Sequence, residues 1–328
     1  MHNIRTVSVI IATKDRPNDV CRTVGAILRQ SQTPFEIIIV DQSLDGASEL
    51  AVRALFSAHN DSNVRLAYCR QPELDGVNAA RNFGLEKATH PIVVFSDDDA
   101  ELAGTGIEEL VRIFHEYPEV CAIGGVITNY SAPGLPHRLF TRLFYLGSLF
   151  DERQPVYWAW DRVPPQTLIP TTKINGGMMA FRKDILMQVG GFDSRLRGAC
   201  VGDDIEVTQR LRHFLGRNNG VVLAPTVRIV HESLGGWKHN PRSLEFHLIS
   251  QHYLHVHPPY RSRFNKIAFW WMAFGLFIRS ALSSVKRTDL SPLRSYIAGL
   301  KGVWNGYRDC PFIKPGGVTP LNAHTNAS

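Results

Sequence analysis

Short apolar runs recur through the chain, and several stop abruptly at polar or acidic residues. Residues 7–12, 35–40 and 91–96 are rich in Val, Ile and Phe and only a few residues long, which reads as buried strands and not as helices, and 64–68 reads as a further strand. Between them the apolar positions recur at helical spacing. Pro17 suits the first turn of a helix whose apolar face is Val20, Val24, Ile27 and Leu28, and further helices are expected over 48–58, 77–88 and 105–116. Strand and helix therefore alternate over roughly the first hundred residues, the pattern of a parallel sheet with helices on its faces. In such sheets ligands bind beyond the carboxyl ends of the strands.

A strand is expected at 120–128, and then the pattern dissolves. From 130 to 170, Pro133, Pro136, Pro155, Pro164, Pro165 and Pro170 stand among Phe140, Phe144, Tyr145, Tyr157, Trp158 and Trp160. A loop of this length is expected to act as a lid or substrate wall; its aromatics either stack on sugar rings or pack beneath it. Strand character resumes at 174–182, where Gly176 and Gly177 permit a close ligand approach or a bulge. Residues 190–193 form a turn. A helix opens at 202–215, where Asp203 and Glu206 have the spacing of a capping box with Asp in place of Ser or Thr, which leaves Asp204 over. A last strand, 221–230, ends at His231.

The chemistry concentrates at strand ends. Asp97, Asp98 and Asp99 are adjacent like charges that repel unless compensated. Strand alternation would put Asp97 and Asp99 on one side and Asp98 on the other. Two hard oxygen ligands on one side suit Mg²⁺ or Mn²⁺; an acidic turn capping the next helix is the alternative. Residues 13–16 and 41–43 give two more polar strand ends, and three at one sheet edge fit a nucleotide site. No G-x-G-x-x-G follows the first strand and no G-x-x-x-x-G-K-[ST] occurs, so neither a dinucleotide fold nor a P-loop is supported.

Composition changes this picture only at the C-terminal end. The 328 residues are 44% hydrophobic and 20% charged, an ordinary globular balance. Five scattered cysteines without a C-x-x-C pair indicate neither a zinc site nor a disulfide framework, and favour a reducing compartment. The first residues run straight into a strand, so no signal peptide is expected. Residues 238–308 carry eleven Lys/Arg against Glu245 and Asp289, a local +9 within a net +6, leaving −3 elsewhere. A basic end behind a mildly acidic body predicts a local anionic partner and excludes a chain that binds nucleic acid throughout. Residues 267–278 are strongly apolar, but twelve residues rise only about 18 Å as a helix against a bilayer core of about 30 Å. Extension to Val285 would carry Arg279 into the membrane, which is costly. Lys266 before the segment and Lys286 and Arg287 after it suit an anionic surface; a helix packed on the body and a spanning helix are the alternatives. His247, His252, His255 and His257, followed by Pro258 and Pro259, read as a basic surface linker and not as a metal site. The tail from Pro311 is expected to be disordered.

Taken together, residues 7–15, the strand ending Val40-Asp41-Gln42-Ser43, the segments 78–84, 95–99, 175–182 and 190–193, and Gly202-Asp203-Asp204 resemble the family 2 glycosyltransferases, in that family's order over roughly 5–235. The resemblance implies a GT-A fold: α/β, Rossmann-like, a mostly parallel sheet with helices on both faces, here with a helical C-terminal extension. The expected domains are a catalytic 1–237, a basic, aromatic-rich 238–308 that touches a membrane surface or packs on the body, and a disordered 309–328. The resemblance further implies inverting transfer of a sugar from a UDP-, GDP- or dTDP-linked donor to a hydroxyl of a glycan or lipid-linked acceptor, at the cytoplasmic face of a membrane, with no nucleic acid partner. Carried over residue by residue, Thr13 and Asp15 sit beside the nucleotide and Asp41 meets its base. Asp97 and Asp99 are similar to the pair that holds Mn²⁺ or Mg²⁺ on the donor diphosphate, with Asp97 also at the nucleotide, and His231 resembles a histidine that completes the metal shell. Asp204 resembles the catalytic base, with Asp203 the other candidate because the family's Glu-Asp reads Asp-Asp here. Asn175, Gly176 and Gly177 lie on the acceptor side. Arg81 pairs with the diphosphate or with the acidic cluster, or is an exposed helix cation. The rival readings are a nucleotidyltransferase, which generally carries a Gly-rich basic loop after the first strand that 13–16 lacks, and a non-catalytic sugar- or lipid-binding relative.

Overall fold

The computed structural model describes residues 7–32, 34–59, 64–129, 134–146, 164, 166–197, 202–216, 220–232, 242–257, 263–308 and 313. The elements run, in chain order, β1 (Val7–Thr13), α1 (Pro17–Leu28), β2 (Glu36–Asp41), α2 (Ala47–His59), β3 (Arg65–Arg70), α3 (Val77–Lys87), β4 (Ile92–Asp97), β5 (Ala100–Leu102), α4 (Gly106–Glu116) and β6 (Ala122–Ile127). There follow α5 (Leu135–Phe144), β7 (Ile169–Pro170), β8 (Met178–Arg182), α6 (Lys183–Gln188), α7 (Asp203–Leu215), β9 (Val221–His231), α8 (Ser243–Val256), α9 (Arg263–Arg287) and α10 (Ser291–Trp304).

Nine strands form one sheet in the order β3-β2-β1-β4-β8-β6-β9-β5, with β7 paired to β9. The β3, β2, β1 and β4 strands are parallel, whereas β8 is antiparallel to both β4 and β6. The apolar runs of β1, β2 and β4 are covered on both faces, whereas β3 stands at the sheet edge with no buried residue. Alternate residues of each run enter different cores: Val7, Val9 and Ile11 pack with Val20 and Val24 of α1 and Leu110 of α4 on one face. Ile10, Ile38, Val40, Val93 and Phe95 pack with Ala80 and Leu85 of α3 and Val207 of α7 on the other. A period of two, with apolar residues at both phases, is what a doubly covered strand requires. Helix α3 lies so close to the sheet that a Cβ on Gly84 would overlap Ile10.

Parallel register carries the strand ends to one edge. Thr13 is level with Asp41, and Ala12 with Asp97. The three polar clusters expected from sequence are therefore neighbours, on β1, β2 and β4.

Several expectations change. Within the Pro-rich stretch, Leu135–Phe144 is a helix, and Phe144 and Tyr145 are buried against α9, so these aromatics pack and do not line a groove; Tyr157, Trp158 and Trp160 lie outside the described residues. No capping box forms at α7. Its N-cap is Gly202, in a left-handed conformation (φ +101°), while Asp203 bonds Arg81 and Glu206 bonds Arg210 one turn on. The histidine-rich segment is not a linker: it forms most of α8, where His255 is buried. The twelve-residue apolar segment is the middle of the 25-residue α9. Helices α8, α9 and α10 share a core with α5 and with Ile205 of α7. Tyr253 of α8 locks this layer to the body by donating a 2.5 Å hydrogen bond to the buried Asp193.

Candidate functional site

The acidic triplet sits at a turn and not along a strand, because β4 ends at Asp97 and β5 begins at Ala100. Strand alternation is thus not what sorts the three carboxylates; each is sorted by its partners. Asp98 turns to the scaffold, where Thr13 Oγ1 donates to it at 2.7 Å and an Arg16 guanidinium nitrogen at 2.8 Å. The same Arg16 nitrogen donates to Asp99 at 2.9 Å. Thr23 Oγ1 holds the Asp98 carbonyl at 2.8 Å. Arg16 compensates two of the three adjacent carboxylates, and sequence offered no signal for it beyond a cation in a strand-end turn.

Antiparallel pairing of β5 with β9 puts Ala100 opposite His231. Through that register the imidazole reaches the triplet from across the chain. His231 Nε2 lies 2.9 Å from Asp99 and 3.7 Å from Asp97. Asn129 fixes the histidine backbone, its Oδ1 accepting from His231 N–H at 3.1 Å and its amide donating to His231 C=O at 3.0 Å. One ligand atom from each of Asp97, Asp99 and His231 lies within 4.8 Å of the others. Atoms held at about 2.0–2.6 Å by one hard cation are separated by no more than about 5 Å, so the set fits a single divalent ion. Two carboxylates and an imidazole are donors that Mn²⁺ accepts readily. The His231 Nδ1 is a buried atom with no hydrogen-bond partner among the described residues.

Burial sets the charges here. It pushes the Asp97 carboxyl up to about 6, against the pull of Arg81 and His231. It also raises Asp98, despite Thr13 and Arg16. For His231 burial disfavours the cation, but the Asp99 hydrogen bond and the two carboxylates outweigh it and hold the imidazole above its usual value.

Arg81 is paired with the acidic cluster. The side chain is buried, and its fork donates to Asp203 at 2.5 Å and to Asp97 at 2.9 Å. It is not an exposed helix cation. It also lies over the Phe192 ring, 5.3 Å from the centroid. On the same helix, Asn82 exchanges hydrogen bonds with the backbone of Phe192, and Asn78 bonds the carbonyl of Asp193. The 190–193 turn is thus a clamp that holds α3, and with it Arg81, in place.

Asp203 is therefore committed to Arg81. Asp204, the next residue, is partly exposed, and among the described residues its carboxylate accepts one hydrogen bond, from the Ile205 N–H at 2.8 Å. Burial also raises its pKa, which makes it a stronger base. A Cβ on Gly176 would stand 3.7 Å from Asp204, and one on Gly177 would stand 3.3 Å from His231 Nδ1. The glycine pair passes between the two groups, and Asn175 fixes it by accepting from Gly177 N–H at 2.9 Å. The Gly177 carbonyl in turn accepts from Asp97 N–H at 3.1 Å.

Asp41 is fully buried: Ser43 donates to one oxygen at 2.5 Å and Tyr68 to the other at 2.6 Å. Ser43 Oγ also accepts from the Asp15 N–H at 2.7 Å, where Asp15 has φ +55°. In this arrangement Asp41 organises Ser43, Tyr68 and the exposed Asp15. Thr13, beside them, is buried on Asp98. Tyr68 was not legible as a site residue; its place comes from the register of β3 on β2.

The family model described as Glycosyl transferase family 2 matches residues 8–190. The glucosyl-dolichyl phosphate glucuronosyltransferase of Haloferax volcanii is 28% identical over 190 residues, 57% of this chain and 56% of that one. The chain spans 31% to 65% of the lengths of the curated relatives it matches. Among solved structures, the mannosyltransferase PcManGT of Pyrobaculum calidifontis, in complex with GDP-Man and Mn²⁺, aligns with TM-score 0.54 at 19% identity, over 91% of this chain and 87% of that one. S. aureus TarS 1–349 in complex with UDP-GlcNAc aligns with TM-score 0.53 at 14% identity, over 90% and 79%. These likenesses establish the GT-A architecture expected from the sequence.

Proposed function

The chain belongs to glycosyl transferase family 2, and we propose that it is an inverting, metal-dependent enzyme that moves a sugar from a nucleoside-diphosphate-sugar to a hydroxyl of a glycan or lipid-linked acceptor. The observation that carries this reading is the placement of Asp204 and the Asp97–Asp99–His231 cluster on either side of the Gly176-Gly177 backbone. Neighbours of the same fold were solved with GDP-Man and Mn²⁺ and with UDP-GlcNAc, which supports a nucleotide-sugar donor and a divalent ion here.

Asp97, Asp99 and His231 would hold the ion, Mn²⁺ or Mg²⁺, which when bound would supply positive charge to offset that developing on the departing diphosphate. Arg16 and Arg81 keep the carboxylates fixed before anything binds, so their orientation costs little at the moment of reaction. Asp15, with Ser43 and Tyr68 behind it, lines the nucleotide end. Gly176 and Gly177 leave room for donor and acceptor to meet. Asp204 accepts the proton of the attacking hydroxyl, and its raised pKa suits that task. One base and one displacement invert the anomeric centre. Asp203, held by Arg81, acts by orientation and not as the base.

Calorimetry with UDP, GDP and dTDP in the presence and absence of Mn²⁺ tests the reading. One nucleotide should bind in a Mn²⁺-dependent manner, and Asp99→Ala should abolish that binding. Asp204→Asn should keep the affinity and lose transfer. Unchanged binding by Asp99→Ala would remove the metal assignment, and turnover by Asp204→Asn would remove the base.

A further inference from the structure

We propose that α5 and α9 together form a face that docks on the surface of an anionic bilayer. Helix α9 is two-faced. Phe269, Met272 and Leu276 pack into the core shared with α8 and α10. On the opposite side Ile267, Trp270, Trp271, Phe274 and Phe277, at helical spacing, are exposed. Beside them α5 exposes Leu135, Leu139 and Leu143 at successive turns. Trp271 Nε1 donates to the Leu143 carbonyl at 2.9 Å, so the two stripes are joined into one apolar face. A contiguous patch of this kind marks an interaction surface.

The occupant follows from charge. The α5 and α9 segments hold seven Lys/Arg and no Asp or Glu. Arg138 and Arg142 border the leucine stripe, and Lys266 borders the tryptophans. A hollow of about 390 Å³, lined by Lys266, Ile267, Trp270 and Trp271, sets an ammonium at the rim of apolar walls, which suits a phosphate headgroup. Two copies facing through this surface would bring like-charged rims together, which disfavours self-association. Tryptophan at a membrane–water boundary, with cations beside it, is the composition of an interfacial helix.

The geometry also says how the helix lies. Its 25 residues are long and apolar enough to cross a bilayer by length and composition, but 44% of its most apolar window is buried in the protein. Its packed face is committed to α8, α10 and Ile205, so α9 rests flat on the surface. Arg279, the cation that argued against a spanning helix, is exposed and sits over the Phe140 ring of α5, 5.1 Å from its centroid. Ile205 shares this core and adjoins Asp204. The docking face and the proposed base are therefore coupled through one layer of helices, a point that rests on the role given to Asp204.

Flotation of the full chain tests the face. Phosphatidylcholine vesicles are compared with vesicles that also contain phosphatidylglycerol. The wild-type chain should float with the anionic vesicles, less so with added salt, and not with phosphatidylcholine alone. Trp270→Glu combined with Phe274→Glu should cut partitioning at least about tenfold, as should Leu139→Glu on α5. Leu50→Glu, on α2, removes an equally exposed apolar residue elsewhere and should float like wild type. Circular dichroism melts verify that each variant is folded. Failure of the wild type to float, or equal flotation by all variants, overturns the proposal. So does light scattering that finds a dimer through this face, lost in Trp270→Glu/Phe274→Glu. Mn²⁺-dependent nucleotide binding is measured on the same samples and should be unchanged; its absence from wild type would defeat the catalytic reading and leave docking standing.

Discussion

Replacing Arg81 separates the electrostatic frame of the site from its chemistry. Its fork joins Asp97 and Asp203 at 2.9 and 2.5 Å, and its side chain is 6% exposed, against 29% for Asp97 and 10% for Asp203. Removing one partner of a buried ion pair costs about 3–5 kcal/mol, because the remaining charge is stranded. Asp97 keeps some contact with water, so Arg81→Ala should lose about 3 kcal/mol. Lysine restores the charge but offers one ammonium where the fork reaches two carboxylates. Arg81→Lys should therefore lose about 1.5–2 kcal/mol, the scale of one charged hydrogen bond. Neutralising the buried partner should recover part of the loss. In a double-mutant cycle with Asp203→Asn, the coupling should exceed about 1 kcal/mol. Urea unfolding of the full chain, followed by tryptophan fluorescence, reads the four proteins of the cycle and Arg81→Lys. A coupling below about 0.5 kcal/mol, within the range of independent sites, would mean that the bridge does not organise the cluster.

Other expectations follow from the same contacts. Tyr253→Phe removes the hydroxyl that bonds buried Asp193, and should cost about 1.5–2 kcal/mol in a thermal melt, since Arg195 still pairs with the carboxylate. Gly84→Ala should lose about 1–3 kcal/mol by urea titration, because its Cβ would overlap Ile10. Stability should depend on pH through α8. Burial lowers the His255 pKa from 6.5 to about 4, so the folded imidazole stays neutral where the unfolded one is charged. Because the unfolded chain then binds more protons, stability is full above about pH 6.5 and falls towards pH 4, by up to about 3 kcal/mol for this residue. His252 is lowered to about 4 by burial and by His255 and Lys266, and should act in the same direction. His255→Gln should flatten the dependence measured by chemical denaturation across that window.

The centre of the sheet was readable because β1, β2 and β4 are covered on both faces and so appear as unbroken apolar runs. The acids at their ends stood out for the same reason: Asp41 and Asp97 follow directly on Val40 and on Phe95-Ser96. The partners were not readable. Arg16, Arg81 and Tyr68 gain their roles through pairing and register between segments far apart in sequence. The spacing of Asp203 and Glu206 implied a cap, but a buried cation within reach of Asp203 outweighed a local hydrogen bond. In α5 the prolines misled: Pro136 stands in the first turn of the helix, where its missing N–H costs nothing. The reach of α9 was understated because Arg279 looked like an end. The helix continues to Arg287 because that side chain leaves along Phe140.

The position of β5 bears on how the protein is made. It is three residues long, lies at the end of the sheet path and, among the described residues, pairs only with β9. The triplet that precedes it is synthesised more than a hundred residues before His231; Thr23 of α1 and Gln30 just beyond that helix hold β5, but the imidazole arrives only when β9 settles between β6 and β5. Contacts this distant in sequence close slowly, since the loop entropy must be overcome before they form. A chain interrupted before residue 231 would carry all three aspartates yet present no assembled cluster. Completion of the sheet is thus what assembles the proposed cation site.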